Sequence, residues 1–391
     1  MRKITADYIF PVSSEPIKQG VIVIDEDGKI LSVDTRGQHA AAGLENYEGV
    51  IVPGFVNTHC HLELSHMKGK VDTGTGLLKF ISNVVSFREV DEEEIKTAIE
   101  KADQEMHDEG IVAVGDISNK ADTFQQKAES EIRYYSFLEM FDFLQEAGAQ
   151  ACFDRYKTVY DQHPTSGGNK IAAVPHAPYS VSKKLFSLIN ELNQGQNTVS
   201  IHNQETIAEN ELFLTKTGGF LDFYKNFGIP IDEFQPNQKT AIFYALAQLD
   251  PKQRTLFVHN TLTNAADIAA AQAWSDQVFW ATCPNANLYI ENSLPNYQNF
   301  MAADAKMTIG TDSLTSNWQL SIIEEMKTIA RYQSFIPFET LLRWATLNGA
   351  EALGYEADLG SLEIGKKPGL NLLNLSEDLQ LQADTKVHRL L

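Results

Sequence analysis

Residues 50–66 read VIVPGFVNTHCHLELSH, an apolar run of strand length that ends on two histidines two positions apart. Side chains at i and i+2 of a strand face the same way, so His59 and His61 can reach one ion while Cys60 points elsewhere. A pair of polar loop residues would look the same in isolation, so the rest of the chain must decide. Runs of the same kind recur at Val50 to Val56, Gly110 to Ile117, Arg133 to Met140, Ile171 to Pro175, Thr198 to His202, Thr255 to His259, Val278 to Thr282 and Lys306 to Thr311. Stretches of helical spacing separate most of them, such as EEEIKTAIEKADQEMHDEG, SKKLFSLINELNQ and NAADIAAAQAWSD. Eight strand-helix repeats with apolar residues on both strand faces predict an α/β fold, a (β/α)8 TIM barrel, with a doubly wound open sheet as runner-up.

Polar residues mark the ends of further strands. TVSIHNQE closes on His202, with Glu205 three residues on; TLFVHN closes on His259; KMTIGTDS closes on Asp312; IAAVPHAPYS places His176 just past its end. Ten histidines scattered at random over 391 residues would rarely fall this way. In a barrel these ends converge on one face. Short apolar runs broken by turns fill both termini: ADYIFPV, GVIVIDEDGKILSV with its DEDG hairpin signal, YEGVIVPG, and later LGSLEIGKKPGLNLLNL. The two ends are expected to pair into one small β domain, residues 1–51 with 356–391, beside a barrel over 52–355. Residues 205–236 form a long insertion after the fifth strand, where loops shape barrel sites.

The ordered set PGFVNTHCH, PHAPYSVS, HNQE, VHNTLT, CPNANL, GTDS and GSLEIGKKPGLN resembles the amidohydrolase superfamily over essentially the whole chain. The resemblance implies a barrel with a β-sandwich built from both termini. It implies metal ligands at His59, His61, His202 and Asp312, Glu205 as proton shuttle, and His259 beside the attacking water. Two-metal members carry a bridging lysine at the end of the fourth strand; here Pro175 and His176 stand there and Lys170 precedes the strand, so one ion is expected. The His202–Glu205 step with His259 on the next strand is similar to the deaminase branch for cytosine, guanine and adenosine derivatives. HCHLELSHMKG and KKPGLN look closest to the adenosylhomocysteine and aminodeoxyfutalosine deaminases.

Three imidazoles and a carboxylate suit Zn(II) first, with Fe(II) or Mn(II) as alternatives. Such an ion lowers the pKa of its water towards about 7. Attack on an amidine carbon then needs a proton for the ring nitrogen and for departing ammonia, which a carboxyl of raised pKa such as Glu205 can carry; Asp312 and His259 can hold the nucleophile. A different zinc deaminase class uses His-x-Glu with Pro-Cys-x-x-Cys. His61-Leu62-Glu63 imitates its first half, but Cys283 precedes its proline and has no cysteine partner, which excludes that class.

Around this centre, Glu63, Ser65 and His66 are expected at the mouth, and His176, Asn287 and Ser313 are candidates for substrate contact. Asn285 and Asn317 accompany them, with bracing of strand ends as the alternative. Arg88 in VVSFRE could pair with a substrate carboxylate, or cap a solvated helix end. TGTG at residues 73–76 lacks the Lys-Ser or Lys-Thr of a phosphate loop and reads as a mobile loop.

With 32 basic against 52 acidic residues, the net charge of −20 disfavours nucleic acid and anionic membranes as partners. No apolar run reaches membrane-spanning length and the basic start lacks a signal-peptide core, so a cytoplasmic protein is expected. Cys60, Cys152 and Cys283 show no disulfide or thiolate-cluster pattern. The partner is a small molecule, and a homodimer is left open. Competing readings are hydrolysis of a cyclic amide or imidazolone on the same scaffold, a non-catalytic scaffold protein, and a metal-independent binding barrel.

Overall fold

The computed structural model describes residues 1–40, 42–195 and 197–391. The N-terminal stretch supplies β1 (Arg2–Thr5), β2 (Tyr8–Ile9), β3 (Ile17–Lys18), β4 (Gly20–Ile24), β5 (Ile30–Thr35), β6 (Glu45–Asn46) and β7 (Val50–Pro53). Then come β8 (Phe55–Cys60), β9 (Ile111–Ser118), β10 (Arg133–Met140), β11 (Lys170–Pro175), β12 (Thr198–Asn203), β13 (Arg254–His259), β14 (Val278–Thr282) and β15 (Met307–Ile309). The chain closes with β16 (Leu370–Leu373) and β17 (Val387–Arg389).

Strands β8 to β15 make two four-stranded parallel sheets, ordered β11-β10-β9-β8 and β12-β13-β14-β15. Nearly every residue in them is buried, because helices such as Glu92–Asp108, Lys183–Leu192 and Ala265–Trp274 cover them. The sheets meet at two seams. Next to β11 and β12, the His202 amide donates to the His176 carbonyl at 2.9 Å. At the other seam Cys60 bridges Asp312 in parallel, and the Thr311 and Asp312 amides donate to the His59 carbonyl at 3.0 and 2.9 Å.

The terminal strands form two more sheets, β5-β4-β1-β6 and β17-β16-β7-β2-β3. Ile4, Ile22 and Ile24 of the first pack with Ile9, Ile51 and Leu370 of the second in a cluster separate from the main core. The DEDG turn joins β4 to β5, with Asp25 Oδ1 accepting from the Asp27 and Lys29 amides. One expected strand is split: Val50–Pro53 pairs with β16, whereas Phe55–Cys60 pairs with β9. Gly54 makes the changeover because a Cβ there would lie 2.3 Å from Val112 Cγ1 and 2.6 Å from the Pro368 carbonyl. The insertion at 205–236 is not irregular but carries the helices Ile207–Thr215 and Gly219–Asn226. No helix among the described residues is long and apolar enough to cross a membrane.

Under the first sheet lies a fully buried ion pair. Lys127 Nζ sits 2.6 Å from Asp116 Oδ2 and donates to Ser118 and Ser136 at 2.9 and 2.8 Å, with neither charged side chain exposed. Asp116 Oδ1 accepts from the Leu62 amide at 2.7 Å, so this charge fixes the backbone directly after His61. Lys127→Met would strand a buried carboxylate; a loss of about 3–5 kcal/mol of stability is expected in urea unfolding, and an unchanged midpoint would refute the pair's role.

Candidate active site

The strand ends bring the histidines together. His61 Nε2 lies 3.2 Å from His59 Nε2 and 3.3 Å from His202 Nε2, while Asp312 Oδ1 lies 3.4 Å from His61 Nε2 and 3.7 Å from His59 Nε2. Four donors at metal-ligand bond lengths of about 2.0–2.1 Å around a tetrahedral ion stand roughly 3.3 Å apart. These separations are close to that spacing; His59, His61 and His202 form one group able to hold a metal, Asp312 joins His59 and His259 in a second, and Glu139, His176 and His202 make a third.

Protonation states agree with it. Burial, and then the neighbouring imidazoles, hold His59 and His202 well below the ordinary histidine range. They are therefore neutral, the form that binds metals. A carbonyl can only accept, so His202 Nδ1–H donates to the His176 carbonyl at 2.8 Å and leaves Nε2 as the free donor atom. Asp312 is steadied by Ser316 Oγ, which donates to Oδ2 at 2.6 Å. Lys170 starts β11 and its ammonium donates to the Leu353 and Gly354 carbonyls, at the end of the strand away from this cluster.

Two further groups flank the donors. Glu205 Oε2 lies 3.6 Å from His259 Nε2, and both side chains are buried. Burial, then Asp312 and Glu291, push the Glu205 carboxyl well above the usual carboxylate range. His259 Nδ1 is 2.9 Å from Asn287 Oδ1, so its N–H donates there and Nε2 faces Glu205. Burial also lowers His259, against the opposing pull of Asp312 and Asn287. The backbone is left-handed at Gln204 (φ 48°), His259 (φ 71°), Asn260 (φ 58°) and Asp312 (φ 58°), a cost carried at the turns that aim these side chains. Gly310 lets β15 come close: a Cβ there would sit 2.8 Å from His59 Cβ and 3.0 Å from Cys283 Sγ.

A cleft opens above this floor. Glu63, Arg88, His176 and Ser313 line it, together with the apolar face of the Leu77–Phe87 helix. His176 donates or accepts at Ser180 Oγ (2.7 Å), its ring 4.9 Å from that of His202, and burial lowers its pKa to about 3. Arg88 does not stand free for a substrate carboxylate: its Nη2 donates to Glu63 Oε1 at 3.0 Å. Three expected contacts point away from the cleft. Ser65 Oγ donates to the Leu62 carbonyl, His66 Nε2 donates to the Arg88 carbonyl at 2.9 Å, and Asn287 stands behind His259. Asn285 and Asn317 donate to the buried Glu325, which braces the Asp312 turn through Asn317 and the Thr311 carbonyl. Sequence reasoning missed Glu139, whose pKa burial and then Glu63 raise to about 8. Its signal was a lone carboxylate at the end of the apolar run RYYSFLEM.

Over 363 residues the chain is 27% identical to an adenosine deaminase of Helicobacter pylori, spanning 90% of this chain and 86% of that protein. The fold is similar to that of Helicobacter pylori aminofutalosine deaminase in complex with methylthio-coformycin, with a TM-score of 0.81, 24% identity, and coverage of 96% of this chain and 93% of that one. It is also similar to a zinc-bound adenosine deaminase of Xanthomonas campestris, with a TM-score of 0.73, 22% identity, and coverage of 96% and 85%. The family description "Amidohydrolase family" matches residues 50–388. A match of that extent, laid over strand ends that gather three imidazoles and a carboxylate, makes this chain a member of the amidohydrolase family.

Proposed function

We propose that the chain is a metal-dependent hydrolase that deaminates an amino-substituted purine nucleoside or a similar cyclic amidine. The observation that carries this reading is the four-donor cluster with Glu205 and His259 on its flank at the floor of a cleft. The names of the similar proteins, adenosine and aminofutalosine deaminases, support the same chemistry. One Zn(II) ion held by His59, His61, His202 and Asp312 fits the donor set, and bound there it supplies Lewis acidity and a nucleophilic oxygen near neutral pH.

The chain's own groups do the rest. Glu205, biased towards its protonated form, passes a proton to the ring nitrogen of the amidine and later to the departing amine. His259, fixed by Asn287 as the Nδ1–H tautomer, offers its Nε2 lone pair to orient the attacking water. Asp312 accepts the proton that this water loses and returns it to Glu205 for the departing amine, and the hydroxyl proton released as the carbonyl forms restores Glu205 for the next cycle. His176 and Glu63 contact the substrate from the cleft wall, and Ser313 from beside Asp312.

The pairing at both seams supports a single closed eight-stranded barrel over residues 52–355. Residues 1–51 and 356–391 then form the β-sandwich, with β7 straddling the boundary. Free thiols at Cys60, Cys152 and Cys283 are in keeping with a cytoplasmic location. The test is ammonia release by the zinc-loaded protein from adenosine derivatives, guanine, cytosine and aminodeoxyfutalosine. Release from at least one amino-purine nucleoside is expected. Ring opening of a cyclic amide or imidazolone without any ammonia would establish the alternative reaction instead.

A further inference from the structure

A single carboxyl behind the site holds two of the turns that aim its groups. Glu325 lies on the helix Ile322–Tyr332 and is fully buried, and among the described residues its side chain has only Asn285 and Asn317 as hydrogen-bond partners. Oε2 accepts from the Asn285 amide at 2.9 Å; Oε1 accepts from Asn285 Nδ2 at 2.9 Å and from Asn317 Nδ2 at 2.7 Å. Thr328, one turn along the same helix, donates to Asn285 Oδ1 at 2.6 Å, which fixes the orientation of that amide. Burial raises the Glu325 carboxyl to about 8. Either protonation state keeps an acceptor lone pair on each oxygen, so the three contacts hold in both.

Asn317 carries the first branch. Its Nδ2 also donates to the Thr311 carbonyl at 2.8 Å, while the Asp312 amide of the same peptide donates to the His59 carbonyl at 2.9 Å. A peptide is planar, so bonds at both its edges fix the plane from which the left-handed φ of 58° at Asp312 turns. Asn285 carries the second branch. It stands in the first turn of the helix Pro284–Glu291, where Cys283 supplies no side-chain cap, and Glu325 takes that place from another element. Two residues on, Asn287 of the same helix accepts from His259 Nδ1 at 2.9 Å. We propose that Glu325 is a positioning residue, which sets the aim of Asp312 through Asn317 and the aim of His259 through the Pro284–Glu291 helix. Its removal leaves three buried N–H groups without an acceptor and frees the strained turn at Asp312 to relax. This inference rests on Asp312 as a ligand in the proposed metal site.

The test compares the full chain with Glu325→Ala, Asn317→Ala, Asp312→Ala and a packing control on the same helix, Ile329→Val, whose side chain is also buried. Amide hydrogen exchange of the metal-free proteins is followed by mass spectrometry, and Co(II) binding by its visible absorption bands. Glu325→Ala should speed exchange by about tenfold or more in two segments, around Thr311–Asp312 and around Asn285–Asn287, and weaken Co(II) binding by about tenfold or more with altered bands. Asn317→Ala should change the first segment and the bands but leave the second segment protected. Ile329→Val should lower the urea midpoint and leave the bands and both segments as in the wild type. If Glu325→Ala fails to fold, Glu325→Gln replaces it: the amide oxygen can keep Asn317 while the amide nitrogen meets the Asn285 N–H, so exchange should quicken around Asn285–Asn287. Wild type that takes up no Co(II), with the exchange pattern as expected, would end the ligand reading but keep the positioning of both turns. Wild-type exchange in both segments of the Glu325 variant, or wild-type bands in the Glu325→Ala and Asn317→Ala proteins while Asp312→Ala alters them, would overturn the positioning role.

Discussion

Replacing Glu205 by Gln should leave about one metal ion per chain in place while lowering the rate of ammonia release by about 10²- to 10⁴-fold. Glu205 stands beside the donor cluster rather than in it, since His202 already supplies the ligand of β12 and Glu205 Oε2 faces His259 Nε2. Glutamine keeps the side-chain length and can still accept a hydrogen bond, but has no proton to deliver. The Glu205 amide donates to Glu209 Oε2 at 3.1 Å, so the backbone turn survives the change. A pH limb in kcat that belongs to this carboxyl should vanish in the variant. Elemental analysis and a coupled ammonia assay separate the outcomes. Near-normal turnover with metal retained would remove Glu205 from the chemistry, and metal lost together with rate would make it a ligand.

Exchange of any one of His59, His61, His202 or Asp312 for Ala should cost both metal and activity. Chelation of the wild type should abolish turnover, and Zn(II) should restore it. Each substitution removes one of the four proposed donors to a single ion. His202→Ala has a second effect, because the His176 carbonyl loses the Nδ1–H donor and keeps only the backbone amide of residue 202. The readouts are metal per chain and circular dichroism, which should stay that of the folded protein. Full metal in all four variants would refute the ligand set. Two equivalents of metal in active wild type would refute a one-ion site.

What could be read directly from the sequence was the set of polar residues that close apolar strands. The ends at His59, His202, His259 and Asp312 were visible because an ionisable residue after an apolar run has few other reasons to be there. The split between β7 and β8 was hidden, since Pro53 and Gly54 lie inside one continuous apolar run and only the approach of Val112 and Pro368 reveals the changeover. Glu139 was passed over for the opposite reason: no histidine accompanies it, and its isolation shows only when Asn119, Glu63 and Arg88 are assembled around it. For Arg88 the sequence offers a substrate carboxylate or a solvated helix end but not its pairing with Glu63, because Glu63 comes from a different loop. Ser65 and His66 sit two and three residues beyond Glu63, yet the short helical turn Leu62–Met67 directs them into backbone carbonyls rather than the cleft.

The seam between the two parallel sheets carries a consequence for biosynthesis. His59 and His61 precede Asp312 by about 250 residues, and His202 lies on the later sheet as well. At a ribosomal rate of about 5–20 residues per second, Asp312 follows His61 out of the peptidyl transferase centre by roughly 12–50 s. During that interval the nascent chain presents first a histidine pair and later His202, but not the four donors together. Loading is thus confined to the end of translation, when the second sheet has closed on the first, and the incomplete chain must keep the apolar edges of β8 and β11 from other partners without help from a metal.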